Sequence, residues 1–345
     1  MQTHKPMRVG VVGLGHQSIE DHIPAVFASK DTVLVGVADV DSSKLKEFEL
    51  SHKGIPTFDD VDKMIDKMAP EIVIVAIPHH SHFEVVKHIL EKKVNVLKEK
   101  PFAVSLNDAK ELVELAKRNN VKMMVTAQRR YNPIYSTFLQ LVDKIGDPFY
   151  IESKYTIFTD SPNAGWRGES KLAGGGCIID MGYHMIDLLV WYFGLPDKIY
   201  AEMSSAAKEN IAYDAEDTAA IIFRYNNKDV WGSLLLSRVI PPKQEYFNVY
   251  GTRGYLHIER GKIERFSIEG KMCESLSREN SWPSAFQDQI EYFVKVVKGL
   301  KIADDFCENH FNHLAFIEAA YRSKEQGMPV NPREVLIERK LINNI

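Results

Sequence analysis

Short, uniformly apolar runs rich in β-branched residues recur through the first third of the chain. Each run is too short for an amphipathic helix and is typical of a strand buried on both faces. Stretches of helical spacing lie between the runs, and because strands that alternate with helices form parallel sheets, we expect an α/β domain over residues 1–127. The expected strands are Val9–Gly13, Val33–Ala38, Ile72–Ile77, Val94–Leu97 and Val121–Thr126.

The pattern changes at about residue 128, where strand-like runs begin to follow one another with tight turns between them. Strands in series predict an antiparallel sheet, and therefore an α+β domain over residues 128–345 built on a large, mostly antiparallel open sheet. The expected strands are Phe149–Phe158, Lys198–Ser204, Asp217–Tyr225, Val230–Leu236, Tyr246–Tyr250 and Tyr255–Ile258. The expected helices follow Pro133, run from the glycines at 174–176 to Trp191, and cover Ala285–Lys298 and His310–Gln326, with Gly327 as a C-cap.

Two strands of the second sheet carry apolar residues on both faces, Ala219–Phe223 and Leu234–Leu236. One face would cover the helices of this domain, and the other needs a second cover because large bare apolar faces are rare on monomers. We expect a homodimer or homotetramer formed through this sheet. A covering C-terminal segment is the alternative that the pattern leaves open.

Composition narrows the classes of function. The 345 residues suit two domains, and a net charge of −4 without a basic run argues against nucleic acid as a partner. No apolar run approaches the roughly 20 residues of a membrane-spanning helix. The segment Met1–Met7 is polar, with no secretory signal, and Cys177, Cys273 and Cys307 are widely spaced. We expect a cytoplasmic protein with reduced thiols.

The first predicted strand ends in Gly13-Leu14-Gly15-His16-Gln17-Ser18. In a dinucleotide-binding turn the first glycine permits the tight turn, the second lets the backbone approach a pyrophosphate, and a small third residue allows the helix to pack closely. Ser18 takes that third place. The turn therefore predicts a dinucleotide bound at the start of the following helix, although a purely structural turn also fits the glycines.

An acid at the end of the second predicted strand, Asp39, bears on the choice of cofactor. A carboxylate there can accept both ribose hydroxyls of NAD and would repel the 2′-phosphate of NADP. Asp41 adds negative charge, and Lys44 is the only nearby cation. We therefore expect NAD in preference to NADP.

Two further groups of residues carry chemistry. Glu99-Lys100-Pro101 follows the predicted strand Val94–Leu97, at the carboxyl edge of the sheet, where open α/β folds bind ligands. The glycines at 174–176, which we expect to leave room for a ligand, precede Asp180 and His184. These two residues are four apart and so lie on one face if that segment is helical. The structural alternative for Glu99-Lys100-Pro101 is a charged loop end, and for His184 it is a packed structural histidine. Both groups are candidates for chemistry on a bound ligand.

The sequence resembles the Gfo/Idh/MocA oxidoreductases, a family named for glucose–fructose oxidoreductase and inositol dehydrogenase. The resemblance covers nearly the whole chain in order. It is carried by Gly13-x-Gly15, Pro78, His82, Glu99-Lys100-Pro101, Arg130, Trp166-Arg167, Gly174–Gly176, Asp180, Gly182, His184, Asp187, the turn Tyr250–Gly254, and the closing segment Glu318-Ala319 to Gly327.

This resemblance implies an N-terminal Rossmann domain and hydride transfer between NAD and a secondary alcohol of a sugar, cyclitol or sugar derivative. It implies that Lys100, Asp180 and His184 are the catalytic group, that Glu99 helps to hold the nicotinamide ribose and that Pro101 follows a cis peptide. The proton of the hydroxyl would pass to Lys100 or to His184, two alternatives that the sequence leaves open. The expected cofactor contacts are Gly13, Leu14, Gly15, His16, Gln17, Asp39, Ile77, Pro78, His79, His82, Glu99, Lys100 and Gln128.

The expected substrate contacts are Lys100, Arg130, Trp166, Arg167, Asp180 and His184. Arginines bind phosphates and carboxylates, although ion pairs within the protein are an equal alternative for them. The family often has Thr-Pro-Asn where this chain has Ile77-Pro78-His79. The histidines at 79, 80 and 82 lack a Cys or acidic partner at a ligand spacing, so we expect no metal.

Two other functions stay open within this resemblance. Some relatives are NAD-dependent glycosidases, in which the cofactor cycles within each turnover and no net NADH forms. Others are non-catalytic sensors that keep the dinucleotide fold. The presence of Lys100, Asp180 and His184 favours an enzyme, because a sensor needs no group for proton transfer.

Overall fold

The computed structural model describes residues 5–162, 164–207, 211–278, 281–301 and 306–342. The chain forms two compact units. The first comprises Met1–Ala103, Asn107–Gln128 and Trp282–Glu308, and the second comprises Val104–Leu106, Arg129–Ser281 and Asn309–Ile345. The single boundary expected after residue 127 therefore differs from these units, because the chain returns to the first unit near its end. Residues 1–4 of the polar N-terminal segment lie outside the described residues.

The first unit contains a parallel sheet of six strands: β1 (Met7–Val12), β2 (Thr32–Ala38), β3 (Thr57–Phe58), β4 (Ile72–Val75), β5 (Asn95–Lys98) and β6 (Met123–Val125). Their order, β3-β2-β1-β4-β5-β6, is that of a Rossmann fold and confirms the expected α/β class. Strand β3 was not predicted, because a run of two residues shows no periodicity. Strand β4 is buried along its whole length, as its unbroken apolar run predicts.

Helices connect these strands, and two of them begin at aspartate caps. The carboxylates of Asp41 and Asp60 accept hydrogen bonds from the backbone N–H groups of Ser43 and Lys63. A π-type helical turn over Ser18–His22 continues into α1 (Ile23–Ala28). The other helices are α2 (Ser42–Ser51), α3 (Val61–Met68), α4 (His79–Glu91) and α5 (Leu106–Arg118).

The helix α10 (Ser281–Val297) explains the return of the chain to the first unit. Its side chains Phe286, Ile290, Phe293 and Val294 are buried in the same apolar cluster as Val9 of β1. The spacing of the sequence predicted a helix here with an apolar face. It could not show which sheet that face would cover, because periodicity carries no information about long-range partners.

The second unit contains an eight-stranded sheet in the order β14-β13-β12-β11-β7-β10-β9-β8. Only the pair β7 and β10 is parallel among these neighbours, which confirms the mostly antiparallel class. The outer strands β13 and β14 were not predicted, since their sequences are largely polar. The strands are β7 (Pro148–Phe158), β8 (Lys198–Ser204), β9 (Thr218–Tyr225), β10 (Val230–Ser237), β11 (Val239–Gly251), β12 (Gly254–Glu259), β13 (Lys262–Ser267) and β14 (Met272–Ser277).

The helices of the second unit are α6 (Pro133–Ser136), α7 (Phe138–Leu141), α8 (Ser170–Ala173), α9 (Gly182–Phe193), α11 (Phe306–Gln326) and α12 (Pro332–Glu338). Gly327 follows α11 with φ of 65°, and its N–H donates to the carbonyl of Ser323, as expected of a C-cap. Across the described residues, no helix has both the length and the apolar content that crossing a membrane requires.

The two faces of the eight-stranded sheet differ. Phe316 of α11 packs against Phe223 on the inner face, with ring centroids 6.5 Å apart. On the outer face Ile222 is 50% exposed and Trp231 is 44% exposed. The C-terminal helix α11 therefore does not supply the second cover that the apolar pattern of β9 and β10 requires.

Candidate functional site

The glycine turn after β1 has the backbone that its sequence predicts. Gly13 has φ of 91°, and a Cβ there would lie 2.2 Å from the carbonyl oxygen of Ala76, so only glycine fits. At Gly15, by contrast, a Cβ would meet no other described atom within 4 Å. Ser18 is fully buried, in keeping with close packing of the helix that follows. Packing of the protein itself thus explains Gly13, while the space at Gly15 fits the approach of a ligand.

The carboxylate of Asp39 lies beside this turn. Its Oδ2 accepts a hydrogen bond of 2.6 Å from the backbone N–H of Leu14, and its Oδ1 accepts one of 2.8 Å from Asp41. Nζ of Lys44 lies 3.9 Å from Oδ2. An acid at the carboxyl end of β2 is thus hydrogen-bonded to the glycine turn, in the place where a ribose contact is expected. In the same turn His16 is exposed and Gln17 donates to Asp21.

The segment Glu99-Lys100-Pro101 leaves the carboxyl end of β5, at the sheet edge that also carries the glycine turn. The peptide bond between Lys100 and Pro101 is cis, as expected. The backbone N–H of Lys100 lies 3.1 Å from Oε2 of Glu99 and 3.3 Å from Oγ1 of Thr126. This one N–H group thus has two acceptors, which hold the backbone that carries the Lys100 side chain.

Glu99 is buried, and its Oε1 lies 2.8 Å from Nε2 of His22. Burial raises the pKa of this carboxyl, but the hydrogen bond and charge of His22 and the charge of Lys100 outweigh burial and hold it below its usual value. Glu99 is therefore ionised at neutral pH. Its expected contact with a nicotinamide ribose stays a prediction.

Pro78 precedes α4, so His79 and His82 lie in the first turn of that helix. Nε2 of His82 lies 2.7 Å from the carbonyl oxygen of Ile77. Burial, together with the nearby charges of Lys98 and His79, lowers the pKa of His82 well below its usual value. A neutral imidazole has one N–H group, which this contact assigns to Nε2. His82 thus supports the backbone at Ile77, and that nitrogen is taken by the carbonyl.

Gln128 ends the first unit's central segment. Its side chain is buried, and its Oε1 has no hydrogen-bond partner among the described residues. A buried acceptor that lacks a partner costs free energy unless a ligand or water supplies a donor. Together with the open space at Gly15 and the carboxylate of Asp39, this acceptor fits a bound dinucleotide.

In the second unit the structure corrects one step in the argument for Asp180 and His184. Helix α9 begins at Gly182, so Asp180 lies in the turn before the helix. Helical spacing therefore does not by itself place Asp180 on the face of His184. Oδ2 of Asp180 accepts a hydrogen bond of 3.2 Å from Nε of Arg167, whose guanidinium lies 4.4 Å from the ring centroid of Trp166.

The glycines at 174–176 pack against protein, which corrects the expectation that they leave room for a ligand. A Cβ on Gly175 would lie 1.9 Å from the hydroxyl of Tyr321, and one on Gly176 would lie 2.0 Å from the carbonyl oxygen of Glu216. The buried carboxylate of Glu216 accepts hydrogen bonds from the backbone N–H groups of Gly176 and Ile178 and from the Tyr321 hydroxyl. The run thus fixes the turn that carries Asp180.

Arg130 forms a buried ion pair with Asp187, in which Nη2 lies 2.6 Å and Nε 3.1 Å from Oδ1. Nε2 of His313 lies 2.8 Å from the same oxygen. Burial raises the pKa of Asp187, but Arg130 and His313 more than offset it and hold the pKa well below its usual range. The guanidinium of Arg130 forms the ion pair within the protein that was the alternative to substrate binding. These contacts therefore do not support the substrate role expected of Arg130. Arg129 likewise pairs with Glu245 inside the second unit.

One group of side chains in the described residues, Asp187, His310 and His313, has ligand atoms within 4.8 Å of one another and could hold a metal ion. The guanidinium of Arg130 already neutralises Asp187, however, and would repel a cation there. Nδ1 of His310 lies 2.8 Å from the hydroxyl of Tyr183. Asp187, His310 and His313 therefore belong to a buried polar network that joins α9 to α11.

Sequence reasoning missed four residues that position the predicted ones: His22, Lys98, Glu216 and His313. Lys98 carried a signal, since a lysine inside a run buried on both faces is unusual. The other three had none, because their partners lie far away in sequence. The three cysteines are free, and Cys177 is a buried packing residue whose pKa burial raises well above its usual value.

Two family descriptions match the chain. Residues 7–127 match the oxidoreductase family with an NAD-binding Rossmann fold, GFO_IDH_MocA, and residues 137–257 match the GFO/IDH/MocA C-terminal domain. Together they cover more than half of the sequence and confirm the resemblance drawn from its motifs.

Individual proteins agree with that assignment. The chain is 26% identical to the rhizopine catabolism protein MocA of Rhizobium meliloti, over 85% of this chain and 87% of MocA. It is 28% identical to glucose-6-phosphate 3-dehydrogenase of Bacillus subtilis, over 70% of this chain and 71% of that enzyme. A crystal structure of an oxidoreductase from Thermotoga maritima superposes with a TM-score of 0.83 at 25% identity, over 96% of this chain and all of that chain.

Proposed function

This chain belongs to the Gfo/Idh/MocA family of NAD(P)-dependent oxidoreductases, and from that membership we propose that it is an NAD-dependent dehydrogenase or ketoreductase acting on a secondary alcohol of a sugar, cyclitol or sugar derivative. The observation that carries the proposal is the Lys100 segment. It is hydrogen-bonded into one conformation at the sheet edge that also bears the glycine turn and Asp39. A lysine held at a cofactor edge suits chemistry on a substrate oxygen.

The first unit provides the groups that would hold the cofactor, and bound NAD would supply the hydride acceptor. The glycine turn offers backbone N–H groups to the phosphates, and Asp39 offers acceptors to the adenosine ribose. We propose NAD in preference to NADP because the carboxylate of Asp39 would repel the 2′-phosphate of NADP. The proposed contacts remain Gly13, Leu14, Gly15, His16, Gln17, Asp39, Ile77, Pro78, His79, His82, Glu99, Lys100 and Gln128.

In the proposed reaction the carbinol carbon loses a hydride to the nicotinamide ring and its hydroxyl loses a proton to the protein. Nζ of Lys100 would hydrogen-bond the oxygen and stabilise its developing negative charge. The proton would pass to His184 or to Lys100 itself. Asp180, which forms an ion pair with Arg167, would stabilise a protonated imidazole at His184.

The two candidate bases can be separated by Lys100→Arg. Arginine keeps the positive charge and the donor groups but does not lose a proton at working pH. If His184 is the base, Lys100→Arg keeps a larger share of kcat than Lys100→Ala, and His184→Asn loses kcat. If Lys100 is the base, Lys100→Arg and Lys100→Ala lose kcat equally.

Two observations support a sugar-like substrate. The related Bacillus subtilis protein is a glucose-6-phosphate 3-dehydrogenase by name. In this chain the side chain of Arg167 is 54% exposed and lies over the ring of Trp166. An aromatic ring beside a guanidinium suits a sugar face and an anionic substituent. The particular sugar is a question for experiment.

We further propose that the protein is a homo-oligomer through the outer face of its eight-stranded sheet. Five aromatic side chains lie in register across five neighbouring strands of that face, with ring centroids 4.6–5.9 Å apart between successive rings. A continuous aromatic row with Trp231 half-exposed needs a partner surface. The row is Trp231, Tyr150, Tyr250, Tyr255 and Phe266.

The mass of the protein in solution tests this assembly. Wild-type protein should have the mass of a dimer or tetramer by light scattering, and Trp231→Glu should shift it toward the monomer. The exposed apolar residue Leu50, which lies in the first unit, provides the control Leu50→Glu, with unchanged mass. A monomeric wild-type protein would overturn the proposal.

The dehydrogenase proposal itself is tested by following NADH absorbance while the protein meets NAD⁺ and a panel of sugars, sugar phosphates, cyclitols and nucleotide sugars. Net NADH from wild-type protein that is lost in Lys100→Ala supports it. Sugar release without net NADH supports an NAD-dependent glycosidase. Binding of NAD⁺ with neither product supports a sensor.

A further inference from the structure

The strongest unassigned feature is Lys98, the last residue of β5. Its side chain is fully buried. Its Nζ donates hydrogen bonds to the carbonyl oxygens of Glu99 at 2.9 Å, Pro101 at 2.5 Å and Phe102 at 2.8 Å. An ammonium group has three donors, so the loop that follows β5 takes all of them.

A buried lysine is costly unless its charge is compensated. Burial lowers the pKa of Lys98 to about 7, and the charges of Glu99 and Cys307 oppose that change. The three carbonyls also favour the charged form, because each accepts a hydrogen bond from the ammonium. His82 also lies nearby, and the charge of Lys98 helps to keep it neutral. A side chain that core packing alone required would be apolar at this position.

The three acceptors share a second property, which is that they surround Lys100. They belong to the residue before it and to the two residues that follow it. Buried carbonyls need partners, and a loop that turns away from the sheet cannot obtain them from a neighbouring strand. The ammonium group of Lys98 thus binds three carbonyls of the loop, while Glu99 and Thr126 accept hydrogen bonds from the N–H of Lys100.

We propose that Lys98 is a positioning residue, whose ammonium group ties the carbonyls of Glu99, Pro101 and Phe102 into one conformation and thereby aims the side chain of Lys100. The catalytic consequence rests on the proposed function, while the structural part does not. An apolar side chain of equal length would fill the same volume and remove all three of these hydrogen bonds.

The test compares Lys98→Met, which keeps the volume and removes the donors, with Lys98→Gln, which keeps two N–H groups. The control is Val96→Ala on the same strand, a fully buried residue whose truncation lowers stability without touching the loop. For the reaction found in the substrate panel, we expect kcat of Lys98→Met to fall about 10-fold or more while KM for NAD⁺ changes little. Lys98→Gln should lie between Lys98→Met and wild type.

Hydrogen exchange gives a readout that does not need the reaction. In Lys98→Met the backbone N–H groups of residues 99, 100, 102 and 103 should exchange faster than in wild type, and in Val96→Ala they should not. Unchanged exchange in these residues, or a fall in kcat of Val96→Ala equal to that of Lys98→Met at matched melting temperature, overturns the proposal. If wild-type protein oxidises no substrate, the proposed function fails by itself and the exchange data still decide the role of Lys98.

Discussion

Nε2 of His22 lies 2.8 Å from Oε1 of Glu99, and both side chains are buried in the first unit. His22 comes from the helical turn that follows the glycine turn, and Glu99 from the loop after β5. The contact therefore links the helical turn after Gly13–Gly15 to the segment that carries Lys100. It also holds the pKa of Glu99 below its usual value, despite burial, which acts in the opposite direction.

Glu99→Gln should destabilise the protein in a pH-dependent way. The folded pKa of Glu99 is lower than its unfolded value, so its ionised form adds stability above the unfolded pKa, and this stability is lost as pH falls through the folded pKa. At neutral pH the variant should lose about 1–3 kcal/mol, the usual value of a buried hydrogen bond to a charged group. The difference from wild type should shrink as the solution is acidified.

Urea unfolding over a range of pH measures this difference. The exposed Glu20, in the same turn as His22, provides the control Glu20→Gln, which should change stability little at any pH. A constant difference between wild type and Glu99→Gln from neutral to acid pH would show that Glu99 is not ionised in the folded state.

Asp39→Asn should weaken the preference for NAD. The change removes the negative charge that we propose repels a 2′-phosphate, and one of the two oxygens that accept from the backbone N–H groups of Leu14 and Asp41. We expect kcat/KM with NAD⁺ to fall about 10-fold or more and the ratio of NAD⁺ to NADP⁺ activity to fall further. Glu47→Gln on the exposed face of α2 is the charge-matched control. An unchanged cofactor ratio in Asp39→Asn would remove Asp39 from cofactor selection.

Arg130→Met should act on stability before it acts on substrate binding. It leaves the buried carboxylate of Asp187 without its cation, a loss that typically costs about 3–5 kcal/mol. Arg224→Met removes an exposed ion pair with Asp229 and should cost no more than about 1 kcal/mol. Chemical denaturation of the two variants measures both costs. A stable Arg130→Met protein with a raised KM for substrate would restore Arg130 to the substrate site.

Gly176→Ala should be strongly destabilising because its Cβ would lie 2.0 Å from a backbone oxygen of Glu216. The backbone must shift, at a cost of roughly 1–3 kcal/mol or more. Gly261→Ala provides the control, since a Cβ there meets no described atom within 4 Å. Thermal melting should separate the two variants by several degrees. Equal melting temperatures would mean that the turn before α9 yields to the extra methyl group.

Local pattern was enough to predict a parallel sheet in the first unit with five of its six strands, and most strands of the second unit. The uniform apolar run at Ile72–Val75, for example, can hardly be read as anything but a strand buried on both faces. Pattern failed where two distant segments meet. The apolar face of α10 and the partners of Arg130 depend on contacts between residues far apart in sequence.

The candidate site shows the same division. Motifs identified Gly13, Asp39, Glu99 and Lys100, because the chemistry of each depends on residue type and position along a strand. The role of the glycines at 174–176 was misjudged, since a glycine that admits a ligand and one that admits Tyr321 or Glu216 have the same sequence. The residues that hold Lys100 in place became visible only with the three-dimensional contacts of Lys98 and His22.

The most direct test of the central claim follows a deuterium atom. The best substrate of the panel is prepared with deuterium on the carbinol carbon, and the NADH formed with wild-type protein is analysed by mass spectrometry. The account predicts NADH that contains one deuterium, and formation at a rate that Lys100→Ala loses. No net NADH, or NADH without deuterium, would contradict hydride transfer from a secondary alcohol and with it the proposed function.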